Sequence, residues 1–218
     1  MFQLTNENLG YNQGTVLHNI SLSIGRGERV ALVGESGAGK STLLSALQSR
    51  FQDKAALIPQ DVGLVKNLSV FHNIYMGRLN SHSTGYNLLN LAWPQKREIS
   101  QIKPLVELMG LSDKLFESTG ELSGGQQQRT AVCRALYQGG SAVIGDEPVS
   151  AVDNHMANLV MTSIGEQFET VVLAMHDLEL ALKYSSRIIG LKNGEITLDQ
   201  STDNLSRQDL DFLYKSEQ

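Results

Sequence analysis

Nine residues, Gly34-Glu35-Ser36-Gly37-Ala38-Gly39-Lys40-Ser41-Thr42, follow a short apolar run and open a helical pattern. They match G-x-x-x-x-G-K-[ST] without a mismatch. The glycines let the backbone curl so that successive N–H groups point inward at phosphate oxygens. The helix that follows adds the positive end of its dipole. Lys40 is placed to reach the β- and γ-phosphates of a nucleotide, and the Ser41 hydroxyl to ligate Mg²⁺. Glu35, Ser36, Ala38 and Thr42 complete the expected nucleotide cradle. An ordinary tight turn before a helix has no need of the lysine and hydroxyl at these offsets.

A second chemistry-bearing segment is Ala142-Val143-Ile144-Gly145-Asp146-Glu147, an apolar strand that delivers two carboxylates at its C-terminal end. Ligands collect at that end of the strands in parallel sheets. Asp146 is expected to hold Mg²⁺ through water. Glu147 is expected to polarise the water that attacks the γ-phosphorus. The third segment, Leu122-Ser123-Gly124-Gly125-Gln126-Gln127-Gln128-Arg129, reads as a helix start with Ser123 at its cap. Two glycines after a cap do not favour a helix, but they leave backbone N–H groups open to a ligand.

The elements that must position these groups alternate between strand and helix. Phe2–Ile24 reads as strands with a turn near Asn12-Gln13-Gly14, and Arg29–Val33 as a short strand. Leu43, Leu44 and Leu47 give Lys40–Gln48 a helical spacing, and Ala56–Ile58 forms a strand ending at Pro59-Gln60. From Leu68 to Gly120 the pattern turns helical and polar, with Ser69 as an N-cap and a helix over Glu98–Met109 that Pro104 breaks or starts. Helix Gln126–Gln138, strand Ala142–Ile144, helix Asn154–Gln167, strand Thr170–Met175 and helix Leu178–Tyr184 follow. Lys192-Asn193-Gly194 joins Ile188–Leu191 to Ile196–Leu198 as a hairpin. Alternation of this kind implies an α/β fold with a mainly parallel sheet and helices on both faces.

The 218 residues can bury one sizeable core, and 41% hydrophobic with 19% charged residues is ordinary for a soluble globular protein. A net charge of −5 gives no electrostatic reason to bind nucleic acid. No apolar run approaches the roughly 18 residues that cross a bilayer. The N-terminus lacks the basic and apolar regions of a signal peptide. The single cysteine, Cys133, excludes an internal disulfide, suits a reducing compartment, and reads as a buried helix residue. His18, His72, His82 and His155 match no motif and are expected at the surface.

LSGGQQQR resembles the signature motif of ATP-binding-cassette (ABC) ATPases, and the rest of the chain follows that family in order. The resemblance implies a P-loop NTPase fold in one domain. Its catalytic core would cover about 1–61 and 121–218, with a helical subdomain inserted at about 62–120. It also implies that Ser123, Gly124, Gly125 and Gln126 contact the γ-phosphate of a nucleotide on a second copy of the chain. Gln60 matches the glutamine that senses Mg²⁺ or the attacking water and couples to the membrane partner. Ser150-Ala151-Val152-Asp153 resembles the loop along the dimer interface. His176, 29 residues after Glu147, matches the switch histidine on the γ-phosphate, and Tyr11 sits where the family places a ring against adenine.

Within the family, Gly63–Val70, Gly77-Arg78-Leu79 and the tail Leu210–Ser216 look like the ATPases of phosphonate-type importers. The implied protein is an ATPase that binds ATP and Mg²⁺ and closes as a homodimer. It would couple that closure to import of a phosphonate-like or other small anionic solute. It would work with a transmembrane permease and, indirectly, a solute-binding protein, as a cytoplasmic subunit on the inner face of the membrane. The subunit of an exporter or lipoprotein-release system is the alternative, followed by a soluble ABC ATPase outside transport. Apolar residues of the helical region, Leu64, Val65, Leu68, Phe71 and Ile74, mostly form its own core, with some left for a permease helix. One departure is large: Gln60 follows Lys40 by only 20 positions, roughly half the family's usual spacing. A reduced antiparallel subdomain beside the adenine is therefore expected, with the phosphate chemistry intact.

Overall fold

The computed structural model describes residues 2–11, 14–51 and 55–214. In chain order, β1 (Phe2–Tyr11), β2 (Gly14–Ile24) and β3 (Arg29–Val33) precede α1 (Lys40–Phe51) and β4 (Ala55–Ile58). Four helices follow: α2 (Val70–Tyr75), α3 (Thr84–Ala92), α4 (Lys96–Leu108) and α5 (Gly124–Gln138). Then come β5 (Ala142–Asp146), α6 (Asn154–Gln167), β6 (Thr170–Ala174) and α7 (Leu178–Tyr184). The chain continues through β7 (Arg187–Lys192), β8 (Glu195–Ser201) and the single turn α8 (Arg207–Leu210). Asn12 and Gln13 of the expected first turn lie outside the described residues.

Two compact units are present. The first comprises residues 1–57, 140–147 and 164–218, and the second residues 58–139 and 148–163. In the first, six strands form one sheet in the order β4-β5-β6-β3-β7-β8. β5, β6, β3 and β7 are parallel neighbours, and β8 closes the edge antiparallel to β7. Every residue of β6 is buried, and so are four of the five in β3. Strands covered on both faces read as continuous apolar runs, which is why they stand out in the sequence. Leu43, Leu44 and Leu47 of α1 share a core with Val30 and Leu32 of β3, Ile144 of β5 and Phe2, Leu17 and Ile24 of the β1–β2 pair. Truncating one such fully buried leucine to alanine costs about 2–5 kcal/mol. The antiparallel part is small, a two-stranded sheet of β1 and β2, as the short Lys40–Gln60 spacing implies.

The second unit is helical. α4 buries Glu98, Ile102 and Val106, and α5 buries Ala131, Val132, Cys133, Ala135 and Leu136. Fully buried Asn73 ties the unit's loops together. Its Oδ1 accepts from Val65 N, and its two Nδ2 hydrogens are shared among the carbonyls of Val65, Leu68 and Ser69 and Thr119 Oγ1. Glu98 is buried against two phenols, those of Tyr86 (2.9 Å) and Tyr137.

Several boundaries differ from the sequence reading. α4 starts two residues before Glu98 and runs through Pro104 unbroken. The carbonyl that Pro104 leaves without a partner is that of Ser100, and both residues are exposed, so water can take it. β5 extends to Asp146 because its ladder with β6 continues through Gly145–Leu173 and Asp146–Ala174. His72 is half-buried rather than superficial, with Nδ1 2.7 Å from Ser69 Oγ and Nε2 3.1 Å from Leu91 O. His82 is also half-buried and stacks on Tyr75.

Candidate nucleotide site

Three neighbouring strands of the first unit deliver the candidate groups. β3 runs into the Gly34–Gly39 loop, β5 ends in Asp146 with Glu147 next in the chain, and β6, lying between them in the sheet, leads to His176. The register brings the strand ends level: Leu32 pairs with Ala174, Ala174 pairs with Asp146, and Met175 N donates to Leu32 O at 3.0 Å. The sheet therefore gathers residues from positions 34 to 176 at its C-terminal edge.

The loop is shaped by its neighbours. Gly34 has φ +146°, and a Cβ there would lie 2.2 Å from Leu191 O, so no other residue fits. At Gly39 (φ +104°) a Cβ would meet the Leu17 side chain at 2.4 Å, which is how closely β2 packs under the loop. Lys40 is 6% exposed, and its Nζ donates to Gly34 O at 2.8 Å and Glu35 O at 3.1 Å. Burial pulls the Lys40 ammonium below its ordinary value, while the charges of Glu147 and then Asp146 oppose that shift. Glu35, Ser36 and Gly37 are exposed, as is Ser41 at the first turn of α1, while Thr42 is buried. Glu35, Ser36, Gly37 and Ala38 also border a cavity of about 280 Å³ with Val16 and the Lys192–Gly194 turn.

Glu147 adopts φ +52°, in the left-handed region, and its N–H still donates to Ala174 O at 3.0 Å. Non-glycine residues there are uncommon and cluster at functional sites. The turn aims Glu147 Oε1 at His176 Nε2, 2.7 Å away, with the histidine side chain 45% exposed and the glutamate 18%. Asp146 Oδ1 is buried and finds no hydrogen-bond partner among the described residues. A buried carboxylate oxygen without a donor fits a hydrated cation, the group the sequence reading assigns to it. No cluster of three or more His, Cys, Asp or Glu side chains suits a metal among the described residues. A cation here would therefore draw other ligands from hydroxyls, amides or phosphate oxygens, which suits Mg²⁺. Tyr11 ends β1 with 62% of its surface exposed, paired in register with Gly14.

The remaining candidates lie in the second unit. Gln60 is exposed in the turn after β4. Ser123 caps α5 in a capping box: its Oγ accepts from Gln126 N at 3.4 Å, and Ser123 N donates to Gln126 Oε1 at 2.9 Å. A Cβ on Gly124 would meet nothing within 4 Å, whereas one on Gly125 would lie 2.5 Å from Ala151 O. The reason is Gln128, which the sequence reading left without a role. It donates to Ser150 Oγ at 3.1 Å and accepts from Ala151 N at 2.9 Å, tying the 150–153 loop to the helix start. Its place inside LSGGQQQR was the available signal. Tyr214, which in the sequence only the tail motif marks, accepts at its hydroxyl from Gly34 N at 3.2 Å.

A glycine loop closing on a buried lysine, with carboxylates on the neighbouring strand ends, defines a nucleotide-binding α/β protein of the P-loop type. Residues 17–150 match the model of the family described as "ABC transporter". The chain is 38% identical to a phosphonates import ATP-binding protein, PhnC 1, of Pseudomonas syringae pv. syringae, over 96% of this chain and 90% of that one. It is 34% identical to the PhnC of Lactobacillus delbrueckii subsp. bulgaricus, over 98% and 94%. Among solved structures, the dimeric ABC transporter cassette MJ0796 superposes with a TM-score of 0.80 at 25% identity, covering 94% of this chain and all of that one. A post-hydrolysis dimer of the same cassette, bound to ADP and Pi, gives a TM-score of 0.75 over the same shares. The chain belongs to the ABC transporter family: it is an ATP-binding, ATP-hydrolysing subunit of an ABC transporter.

Proposed function

We propose that this chain powers import of a phosphonate-like or other small anionic solute, working as an ATP-dependent homodimer on a membrane permease. The observation that carries the ATP chemistry is the convergence of buried Lys40, Asp146, Glu147 and His176 at the C-terminal ends of three adjacent strands. The naming of relatives across nearly the full chain as phosphonates import ATP-binding proteins supports the solute class. As a cassette on an importer's permease, it sits in the cytoplasm against the inner face of the membrane, and a solute-binding protein supplies the permease.

In this reading the Gly34–Thr42 backbone cradles the phosphates, and Lys40 exchanges two carbonyl partners for β- and γ-phosphate oxygens. Tyr11 offers its exposed ring to the adenine. Ser41, Asp146 and Gln60 would hold Mg²⁺, which would supply charge neutralisation on the phosphate oxygens. Glu147 accepts a proton from the attacking water, and His176 both orients Glu147 and contacts the γ-phosphate. Ser123, Gly124, Gly125 and Gln126 of the second copy donate to that phosphate from the start of α5. Hydrolysis removes the bridging contact, and the dimer opens. This is a population shift driven by differential contacts with the γ-phosphate. Two symmetric sites follow from the two-fold axis.

The test is reconstitution in vesicles with the permease that co-purifies from native membranes, followed by ATP-dependent uptake of labelled methylphosphonate. Uptake that requires ATP and competes with other phosphonates is expected. Outward movement of substrate, or release of lipoprotein from the vesicles instead, would replace the import reading with an exporter or release system. Absence of any membrane partner would point to a soluble ABC ATPase.

A further inference from the structure

The C-terminal segment, α8 followed by a 3₁₀ turn over Asp211–Tyr214, belongs to the first unit and ends at the phosphate loop. Gly34 is held there from both sides. Its N–H donates to Tyr214 Oη at 3.2 Å, and its carbonyl accepts from Lys40 Nζ at 2.8 Å. The lysine belongs to the loop, whereas the tyrosine comes from 180 positions away.

The segment is fastened along its length. Leu210 and Leu213 are fully buried. Gly190 admits Leu213 so closely that a Cβ there would lie 2.8 Å from its Cδ1. Lys192 Nζ donates to Phe212 O at 3.0 Å, and Arg207 Nη1 to Glu179 Oε1 at 3.0 Å. Burial, with help from the Glu35 charge, raises the Tyr214 phenol above its ordinary value even though the Gly34 N–H opposes this, so the hydroxyl stays neutral. Tyr214 also lines a cavity of about 620 Å³ with His176, Asp177, Arg207 and Asp211. The strap thus backs the phosphate loop and the switch histidine together.

We propose that Tyr214 is a positioning residue for ATP binding, its hydroxyl holding the first peptide of the phosphate loop in place when Lys40 leaves Gly34 and Glu35 for a nucleotide phosphate. The inference rests on reading Gly34–Thr42 as the nucleotide loop. Lys40 has three donors and spends two of them on the Gly34 and Glu35 carbonyls, so engaging both a β- and a γ-phosphate oxygen takes it off at least one of those carbonyls. Without Tyr214 the entry peptide must be ordered by the nucleotide itself, which lowers affinity. Loss of one neutral hydrogen bond corresponds to roughly a 2- to 10-fold weakening.

The experiment uses the full chain with Mg-ATP. Lys40→Ala comes first: retained nucleotide affinity would remove the phosphate-loop reading itself. With that reading standing, Tyr214→Phe keeps the ring and deletes only the hydroxyl. The expected result is a rise of roughly 2- to 10-fold in Kd and KM, with kcat changed by less than about twofold. Hydrogen exchange at the Gly34 amide should accelerate while the β3 amides keep their protection. Unchanged KM and unchanged Gly34 exchange would overturn the proposal. A joint fall in kcat and in protection across β3 and β7 would also overturn it, by reducing Tyr214 to a packing residue.

Discussion

His176 Nε2 lies 2.7 Å from Glu147 Oε1, although the residues follow different strands and are 29 positions apart. The Glu147 carboxylate is thereby oriented from the side of β6 before any substrate arrives. If Glu147 takes the proton of the attacking water, Glu147→Gln should bind ATP and lower turnover by about 10²–10⁴-fold. With Mg-ATP it should accumulate as a dimer in size-exclusion chromatography. His176→Ala should lower hydrolysis by about 10²–10³-fold, the effect of losing one preorganised donor, with little change in ATP affinity. Near-normal turnover in either variant would reject the role given to that residue.

Asp146 bears on the metal. Its Oδ1 is buried and has no donor among the described residues. Asp146→Asn should leave the fold intact and weaken Mg²⁺-dependent ATP binding, while metal-free nucleotide binding in EDTA stays close to that of the unaltered protein. The loss should shrink as Mg²⁺ is titrated to high concentration. Identical Mg²⁺ dependence in both proteins would take Asp146 out of the metal shell.

Much of this arrangement was legible in the residues because its chemistry is local. A phosphate loop is nine consecutive residues, and parallel strands such as Thr170–Ala174 are apolar throughout because both faces are covered. The helices Asn154–Gln167 and Leu178–Tyr184 were legible for the same reason, since their periodicity is carried within each segment. What escaped depends on distant partners. Tyr214 meets Gly34 across 180 positions, and the tail motif marks its segment without saying what it touches. Gln128 has no local mark that separates it from Gln127, and its role rests on the Ser150 hydroxyl and the Ala151 amide, more than twenty positions away. Asn73 is polar by type but fully buried, because five loop groups need a partner in one place. Pro104 misled because whether a proline breaks a helix depends on which face it occupies.

The two glycines after Ser123 should separate structure from function. Ala151 N is held by Gln128, so Ala151 O cannot retreat from a new Cβ 2.5 Å away at position 125. Gly125→Ala should therefore cost about 1–3 kcal/mol, measured as a lower Tm or denaturant midpoint. Gly124 faces open space, and alanine is the better helix former, so Gly124→Ala should keep or raise Tm. Its added methyl should nonetheless lower ATPase activity, because it stands where the second copy's phosphate must approach. Full activity in Gly124→Ala would deny that approach. Unaltered stability in Gly125→Ala would mean that the 150–153 loop is not fixed as described.

The helical unit presents the last test. Phe71 and Ile74 are fully buried, so they serve its core, while Val65 stays partly open. The larger exposed apolar surface is on α3 and just past its end, where Leu88 is 62% exposed, Leu89 and Leu91 are about half exposed and Trp93 is 74% exposed. Apolar surface of this kind marks an interaction site when it is contiguous, and the partner a transporter subunit needs is its permease. Leu88→Ser combined with Trp93→Gln should leave Tm and the ATPase rate of the isolated protein unchanged, because both side chains are exposed and neither belongs to the unit that carries the phosphate loop. In reconstituted vesicles the same variant should lose ATP-driven uptake and stimulation of ATPase by the permease. Equal loss of isolated ATPase and transport would show that the patch supports the catalytic fold. Intact transport would put the permease contact elsewhere on the chain.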